Sequence, residues 1–346
     1  MTGFDLALPG RLDRRSGGTI YDRRIVERLR AAGARITVHE MSGSYPAADA
    51  VARAAAAHVL ARARRPLVID GLALPAFRLR DRDREPGLIA LVHHPLAEET
   101  GLAPAEAAAL RVAERADLAR VAGAVVTSRF TARTLAAEYG MAAERIAVVQ
   151  PGVDRNLAAL PAAAGPVRLL SVAAFVPRKG HDVLFQALQR VADLSWSLTC
   201  VGAVDRDPEL MVRLRKFNNH SILEKRINIL GELTDGGLAH AYGAADVFVH
   251  PALYEGYGMA LSEALSAGLP IVATRGGAVP DTVPEEAGIL VAPGDVGALA
   301  DALRRVIGDA ALRRRLAAGS AMAGGRLAGW PEAAADFAVA VARLAA

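Results

Sequence analysis

Cysteine, aromatic residues and long apolar segments are all scarce in this chain of 346 residues. The single cysteine, Cys200, excludes an internal disulfide and a structural zinc site built from cysteines or from cysteines with histidines. No uncharged apolar run reaches the ~18 residues of a membrane-spanning helix, and the first residues lack a signal-peptide pattern. We therefore expect a reducing, cytoplasmic location.

Lysine is also rare, because only Lys179, Lys216 and Lys225 accompany the many arginines. Acidic and basic residues are mixed along the chain, so the net charge of +4 is not gathered into a basic stripe and no nucleic-acid partner is expected. The hydrophobic content of 52% indicates a globular protein. Its length exceeds the ~250–300 residues at which single cores stop growing, which predicts two domains.

Short apolar runs alternate with helical patterns along the chain, as in β-α units that build parallel sheets. In the first half, predicted strands cover residues 4–9, 34–40, 65–70, 88–93, 123–128 and 145–150. In the second half, they cover residues 167–173, 196–202, 227–233, 246–251, 270–274 and 288–292. A stretch rich in Pro, Gly and Ala at 151–166 interrupts the pattern and is typical of a linker.

The predicted fold class is α/β, with two Rossmann-like, doubly wound, parallel-sheet domains that face a central cleft. We assign residues 1–155 to an N-terminal domain and residues 156–330 to a C-terminal domain. Residues 331–346 should form a helix that packs back toward the first domain. Ligands of open α/β sheets bind beyond the carboxyl ends of the strands, so the candidate residues are those that follow predicted strands.

Two candidates lie in the first half. Gly17 and Gly18 begin a helix after the first strand, where free backbone amides suit a phosphate or a polar acceptor, although a simple turn explains the pair equally well. His93 and His94 follow the fourth strand and could bond a sugar hydroxyl or carry a proton. Their alternative role is to satisfy loop carbonyls next to Pro95.

The second half places Arg178 and Lys179 directly after its first strand. A planar guanidinium beside a compact ammonium suits a diphosphate, and the alternative is a solvated turn.

Further along, the stretch YEGYGMALSEAL carries Glu255 in a loop and Glu263 about one turn into a helix. The two acids could hold different parts of one extended ligand, whereas an ordinary acidic first turn explains Glu263 well and Glu255 poorly. Glycines in the loop allow the backbone to approach a ligand, and amides follow at the helix start. These positions are Gly256, Gly258, Met259 and Ala260.

Three other patterns are weaker candidates for ligand or metal binding. A second glycine pair, Gly276 and Gly277, follows the strand at 270–274. The Asp-x-Asp patterns at 81–83 and 205–207 resemble a magnesium-binding motif, but their charged or Pro-containing surroundings favour surface turns.

Taken together, the order PGVD, PRKG, a strand ending in HP, Glu-x7-Glu and a glycine pair resembles family-4 retaining glycosyltransferases of the GT-B fold. The likeness covers nearly the whole chain and is strongest between residues 166 and 295. It implies a nucleotide-sugar-dependent hexosyltransferase that uses a UDP- or GDP-sugar, with no cofactor and no metal. By the same resemblance, residues 1–155 would bind the acceptor and residues 156–330 the nucleotide sugar. The acceptor would be a small molecule, a glycan or a lipid-linked group, and peripheral membrane contact is left open.

The resemblance also implies roles for particular residues. Glu255 corresponds to the acid beside the donor sugar, and Glu263 to the acid that binds the ribose hydroxyls. Lys179 corresponds to the lysine that neutralises the diphosphate, and His93 to the family's cleft histidine. The family's upstream Gly-Arg pair is replaced here by Ala173 and Ala174, so Arg178 is expected to supply the missing charge.

Other functions remain open on the sequence alone. A non-hydrolysing sugar-nucleotide epimerase shares this architecture and would convert a donor without an acceptor. A catalytically silent sugar-nucleotide-binding subunit is disfavoured by the presence of both acids and the lysine. A dehydrogenase is weaker still, because no GxGxxG follows the first strand of either half.

Overall fold

The computed structural model describes residues 3–64, 66–79, 87–154, 165–219 and 223–346. The chain divides into two compact units. Unit 1 consists of Met1–Gly152 together with Ala328–Ala346, and unit 2 of Val153–Leu327. Most of the predicted linker, residues 155–164, lies outside the described residues.

Unit 1 contains a sheet of six parallel strands in the order β2-β1-β3-β4-β5-β6. The strands are β1 (Phe4–Pro9), β2 (Ile36–Met41), β3 (Leu67–Asp70), β4 (Leu88–Val92), β5 (Gly123–Val126) and β6 (Ile146–Val148). The α-helices are α1 (Gly17–Ala31), α2 (Ala50–Arg62), α3 (Pro104–Leu118), α4 (Arg129–Tyr139) and, at the end of the chain, α12 (Trp330–Ala345).

Helix α12 packs against the beginning of unit 1 through aromatic side chains. Trp330 lies 6.2 Å from Tyr21 of α1 between ring centroids, and Phe337 lies 5.6 Å from Phe4 of β1. Both α12 side chains are buried. The last helix therefore completes the core of the unit that contains the beginning of the chain.

Unit 2 contains a second sheet of six parallel strands in the order β12-β11-β10-β7-β8-β9. The strands are β7 (Val167–Val172), β8 (Trp196–Val201), β9 (Ile227–Ile229), β10 (Val247–His250), β11 (Ile271–Thr274) and β12 (Gly288–Val291). The helices are α5 (His181–Gln189), α6 (Pro208–Asn219), α7 (Asp235–Ala244), α8 (Met259–Ser266), α9 (Val279–Thr282), α10 (Val296–Gly308) and α11 (Ala310–Gly324).

The strands read as continuous apolar runs because helices cover both faces of each sheet. Strand β10 shows the alternation inside such a run: Val247 and Val249 enter one buried cluster of unit 2, whereas Phe248 enters the other. Cys200 of β8 is fully buried in the first of these clusters.

Every predicted strand is present, so the predicted α/β class with two parallel sheets is confirmed. The ends differ by a few residues. The largest difference is at β9, which was expected to reach residue 233 and stops at Ile229. Gly231 adopts a φ of +70°, a left-handed conformation that ends the extended backbone.

Each sheet has one place where the strand order reverses direction, and ligands of open α/β sheets bind beside such a point. In unit 1 the reversal lies between β1 and β3, and in unit 2 it lies between β7 and β10. The loops that leave these strands therefore position the candidate residues described next.

Candidate active site

In unit 2, three loops meet at the carboxyl ends of β7, β10 and β11, which are adjacent in the sheet. The first loop carries Arg178 and Lys179, the second carries Glu255, and the third carries the pair Gly276 and Gly277. The structure thus brings together segments that are far apart in the sequence, at the point where the strand order reverses.

Two glycines allow these loops to touch through their backbones. Gly180 has a φ of +65°, and a Cβ atom there would lie 2.2 Å from the carbonyl oxygen of Pro251. Gly277 has a φ of +61°, and its Cβ would lie 2.2 Å from the carbonyl oxygen of Glu255. A side chain at either position would push the loops apart, so both glycines are explained by packing of the loop that holds Glu255.

Glu255 is 5% exposed and is surrounded by basic side chains. Its Oε1 atom lies 2.5 Å from Lys179 Nζ and 2.6 Å from His250 Nε2. Its Oε2 atom lies 3.7 Å from a terminal guanidinium nitrogen of Arg178. Burial alone would raise the pKa of Glu255, but Lys179, His250 and Arg178 hold it well below its usual range. Glu255 is therefore a carboxylate at neutral pH.

Arg178 also ties two of the loops together. Its guanidinium donates a hydrogen bond of 2.9 Å to the carbonyl of Tyr254, and its own carbonyl accepts one of 2.7 Å from the amide of Leu253. The side chain is only 14% exposed and faces Glu255. Arg178 therefore joins the loop after β7 to the loop that carries Glu255, and its expected compensation for Ala173 and Ala174 stays a prediction.

Helix α8 begins at Met259, where the sequence placed its start, and Gly258 precedes it with a φ of +86°. Gly256 is buried in the preceding loop, whereas Gly258, Met259 and Ala260 are half-buried. Glu263, the fifth residue of α8, accepts a hydrogen bond of 2.7 Å from the hydroxyl of Tyr242. The hydroxyl of Tyr242 is also 3.2 Å from the carbonyl oxygen of Ala260. The two acids therefore have separate surroundings, one among cations and the other beside a tyrosine.

Unit 1 brings together other predicted residues. Gly18 at the start of α1 lies against His93, since a Cβ atom on Gly18 would be 2.9 Å from the imidazole ring. The ring makes an edge contact of 5.5 Å between centroids with buried Tyr21. Gly17 is the first residue of α1, after the N-cap Ser16.

The Nε2 atom of His93 faces two acids that the sequence analysis did not select. It lies 3.3 Å from Asp22 Oδ1 and 3.7 Å from Asp70 Oδ2. Burial and, after it, the charge of Asp22 raise the pKa of Asp70 to about 7, although His93 and the amide of Leu72 oppose them. Burial lowers the pKa of His93, but Asp22 and Asp70 outweigh it and the net direction is upward.

The remaining sequence candidates are not part of either cluster. His94 Nε2 lies 3.6 Å from Glu99 Oε2 at the surface of unit 1. Asp207 accepts a hydrogen bond of 2.8 Å from the amide of Leu210 at the start of α6, which is a structural role, and Asp205 is exposed. Asp81 and Asp83 lie outside the described residues.

Four residues of these clusters were missed from the sequence. His250 was counted only as the end of a strand, and Tyr242 lies inside α7 without a motif. Asp70 is the last residue of β3 and Asp22 faces inward from α1. A signal existed for Asp70 and His250, because each is a polar residue at the end of an otherwise apolar strand.

Comparisons with known proteins show the family and the fold of this chain. A family profile described as "Glycosyl transferases group 1" matches residues 166–309, and one described as "Glycosyltransferase Family 4" matches residues 68–157. Among solved structures, sucrose-phosphate synthase from Thermosynechococcus elongatus has a TM-score of 0.81 at 22% identity, covering 97% of this chain and 98% of that one. Anabaena HepE in complex with UDP-glucose has a TM-score of 0.79 at 17% identity, covering 98% and 99%.

These likenesses place the fold in the GT-B class of two-domain α/β proteins. The chain belongs to the group 1 glycosyltransferases, within glycosyltransferase family 4.

One relative is the MMP alpha-(1->4)-mannosyltransferase of Mycolicibacterium hassiacum, which is 31% identical over 252 residues. That alignment covers 66% of this chain and 58% of the mannosyltransferase. The chain spans about half the length of the curated relatives it matches. Within the described residues, none of the helices has both the length and the apolar character needed to cross a membrane.

Proposed function

We propose that this chain is a retaining glycosyltransferase that moves a hexose-type sugar from a nucleotide diphosphate sugar to the hydroxyl of an acceptor. The contact between Lys179 and Glu255 carries the proposal. It joins a cation suited to a diphosphate with an acid suited to sugar hydroxyls, at the point where the strand order of unit 2 reverses.

The charge of the site fits the demands of the reaction. As the bond between sugar and phosphate breaks, negative charge grows on the leaving diphosphate while the sugar becomes oxocarbenium-like. Lys179 and Arg178, both largely buried, are fixed cations for that leaving group. In our proposal the two cations neutralise the leaving diphosphate without a metal ion. Once bound, the diphosphate contacts the same two cations that Glu255 faces.

Glu255 serves the sugar in this proposal and is not assigned as a nucleophile. A buried carboxylate accepts hydrogen bonds from sugar hydroxyls and favours positive charge on the ring. Retention then follows from attack on the face that the diphosphate leaves, with a phosphate oxygen taking the proton of the acceptor hydroxyl. His250, which contacts the same carboxylate oxygen as Lys179, positions Glu255.

The nucleotide is assigned to the start of α8. Backbone amides near Gly258, Met259 and Ala260 suit phosphate oxygens, and the carboxylate of Glu263 suits the ribose hydroxyls. The hydrogen bond from Tyr242 holds that carboxylate in place.

The donor class is a UDP- or GDP-hexose. Support comes from the UDP-glucose complex of HepE and from a mannosyltransferase among the relatives. We place the acceptor, whether a small molecule, a glycan or a lipid-linked group, on unit 1 near Gly17, Gly18 and His94. The role of His93 toward the transferred sugar stays a prediction. Because its Nε2 atom faces Asp22 and Asp70, we assign a hydrogen bond with the substrate to its Nδ1 atom.

A panel of nucleotide sugars tests the proposal by thermal shift, because a ligand of the folded state raises the melting temperature. UDP-glucose and GDP-mannose should be compared with free UDP, GDP and NAD. We expect one sugar nucleotide to stabilise the wild type and Lys179→Ala to lose that shift. Release of free nucleotide diphosphate from that donor supports transferase chemistry, whereas conversion to an epimeric sugar nucleotide without any acceptor contradicts it.

A further inference from the structure

Asp22, Asp70 and His93 form a cluster in unit 1, and the proposed glycosyl transfer uses only the Nδ1 atom of His93, not the atoms that face one another. The three residues come from α1, from the end of β3 and from the loop after β4. One donor atom from each residue lies within 4.8 Å of the others. Because β1 and β3 border the reversal of strand order in unit 1, this cluster occupies the ligand-binding position of its own sheet.

The distances in the cluster are long for hydrogen bonds. Asp22 Oδ1 and His93 Nε2 are 3.3 Å apart, whereas a charge-assisted N–H···O bond spans about 2.7–2.9 Å. Within the described part of the chain, both atoms are buried and neither has a hydrogen-bond partner. A tetrahedral ion with bonds of about 2.0–2.1 Å holds its ligand atoms roughly 3.3–3.4 Å apart. The spacing of Asp22 Oδ1 and His93 Nε2 is therefore that of two ligand atoms around a small ion, whereas Asp70 Oδ2 lies slightly farther away, 3.7 Å from the same nitrogen.

The burial and the charge of the cluster also favour a bound cation. The side chains of Asp22 and Asp70 are 1% and 7% exposed. Neither carboxylate forms an ion pair with a lysine or arginine among the residues that the structure describes. Buried carboxylates need a compensating positive charge. One divalent cation bound to two carboxylates and a neutral imidazole gives a set with no net charge.

Neighbouring groups hold these donor atoms in place. The amide of Leu72 donates a hydrogen bond of 2.8 Å to Asp70 Oδ1, which leaves Oδ2 to face His93. The edge contact with Tyr21 and the close approach of Gly18 fix the plane of the imidazole ring. The hydrogen bond to Asp70 is the kind of contact that orients a carboxylate ligand in metal sites.

We propose that Asp22, Asp70 and His93 bind one divalent transition metal ion, with Zn²⁺ preferred. Two carboxylate oxygens and an imidazole nitrogen suit Zn²⁺, whereas Mg²⁺ favours an all-oxygen set with several waters. The three protein ligands leave a fourth position for water or for an oxygen of a ligand. This proposal departs from the expectation that the chain has no metal site. It does not depend on the proposed function, because the diphosphate cations belong to unit 2.

Metal binding is measured directly on the full chain after chelation and dialysis. Titration calorimetry with Zn²⁺ and elemental analysis of the dialysed complex should give one ion per chain, and Mg²⁺ should not compete at equal concentration. Loss of a group that only orients a metal ligand weakens binding by about 10–100-fold. We expect a larger loss of Zn²⁺ affinity in each of the variants Asp22→Asn, Asp70→Asn and His93→Gln. His58→Gln, an exposed histidine of the same unit, is the matched control and should bind as the wild type does.

Substitution of Co²⁺ for Zn²⁺ keeps the test independent of how well the variants fold. Visible absorption bands typical of four-coordinate Co²⁺ with nitrogen and oxygen ligands should appear in the wild type. Absence of stoichiometric Zn²⁺ binding by the wild type overturns the proposal and leaves a cluster that shares protons instead. Binding that persists in folded Asp22→Asn and His93→Gln also overturns it, because the ion then lies elsewhere.

Discussion

Lys179 Nζ lies 2.5 Å from Glu255 Oε1, although the two residues are 76 positions apart in the chain. The contact exists because β7 and β10 are neighbours in the sheet and the loops that follow them meet through Gly180 and Pro251. Before a donor binds, the carboxylate of Glu255 offsets only one of the two positive charges of Lys179 and Arg178. These three side chains therefore carry one net positive charge, which favours entry of a diphosphate sugar.

The first prediction concerns the contribution of Lys179 to transfer. Lys179→Ala should lower kcat/KM by about 10²–10³-fold, the usual cost of removing one fixed group that stabilises charge in the transition state. The measurement is initial-rate kinetics with the nucleotide sugar found by thermal shift. Lys225→Ala, an exposed lysine of the same unit, is the control and should leave the rate unchanged. A Lys179→Ala enzyme with the kcat/KM of the wild type would refute the role assigned to this lysine.

The second prediction concerns the stability of unit 2. Glu255→Gln keeps the shape of the side chain but leaves Lys179, Arg178 and His250 without their carboxylate. Breaking a buried ion pair in this way costs several kcal/mol, and we expect about 2–4 kcal/mol here, because Lys179 is near enough to the surface to regain some solvent. Transfer should be lost as well.

Trp196 provides the measurement for this variant. It is buried in unit 2, and in a Trp330→Phe background it is the sole tryptophan, so its fluorescence during urea unfolding reports on that unit. The depressed pKa of Glu255 gives the sign of the pH effect. Its contribution is present above the unfolded pKa near 4.5 and is lost as the pH falls toward the lower folded value. A difference in unfolding free energy between the wild type and Glu255→Gln that does not decrease below pH 4.5 would contradict this account.

The third prediction separates the two acids. Glu263→Gln should weaken binding of UDP or GDP by about 10–150-fold, which corresponds to loss of hydrogen bonds to a charged group. It should do so whether or not the sugar is attached. Tyr242→Phe removes only the hydroxyl that holds Glu263, so its effect should be several-fold and in the same direction. Calorimetry with the free nucleotide measures both, and normal affinity in Glu263→Gln would show that this acid does not face the ribose.

Sequence patterns were sufficient to predict the strands, because each strand is a short apolar run between turn signals. Val247, Phe248 and Val249 illustrate this, since they are equally apolar although they enter different clusters. The placement of Lys179 and Glu255 after strands followed from the same pattern. Helix ends and strand ends depend on single backbone conformations, such as the positive φ of Gly231, and were therefore less accurate.

The contacts among side chains could not be predicted in the same way. His250 and Asp70 terminate strands and were counted as parts of them, and the carboxylate of Asp22 belongs to a helix whose inward face is otherwise apolar. Which of these polar groups meet depends on strand order. That order places β3 beside β1 and β10 beside β7, and no local pattern in the sequence specifies it.

The last prediction concerns His181, whose ring stacks on Phe175 with centroids 4.1 Å apart. Burial, together with the nearby His250 and Lys179, lowers its pKa from 6.5 to about 3. The folded state thus keeps the ring neutral while the unfolded state binds a proton below pH 6.5. The unfolding free energy contributed by this residue is complete above pH 6.5 and falls as the pH drops, by up to about 1.4 kcal/mol per unit.

His181→Leu removes the titrating ring and keeps an apolar side chain against Phe175. Its unfolding free energy, followed by Trp196 fluorescence at pH 7, 6 and 5, should fall less steeply than that of the wild type. The exposed His58→Gln variant should parallel the wild type, since His58 lies in unit 1 and is open to solvent. This interval lies above the range in which Glu255 titrates, so the two contributions are separable. Parallel curves for His181→Leu and the wild type would mean that the imidazole is protonated in the folded protein as readily as in the unfolded chain.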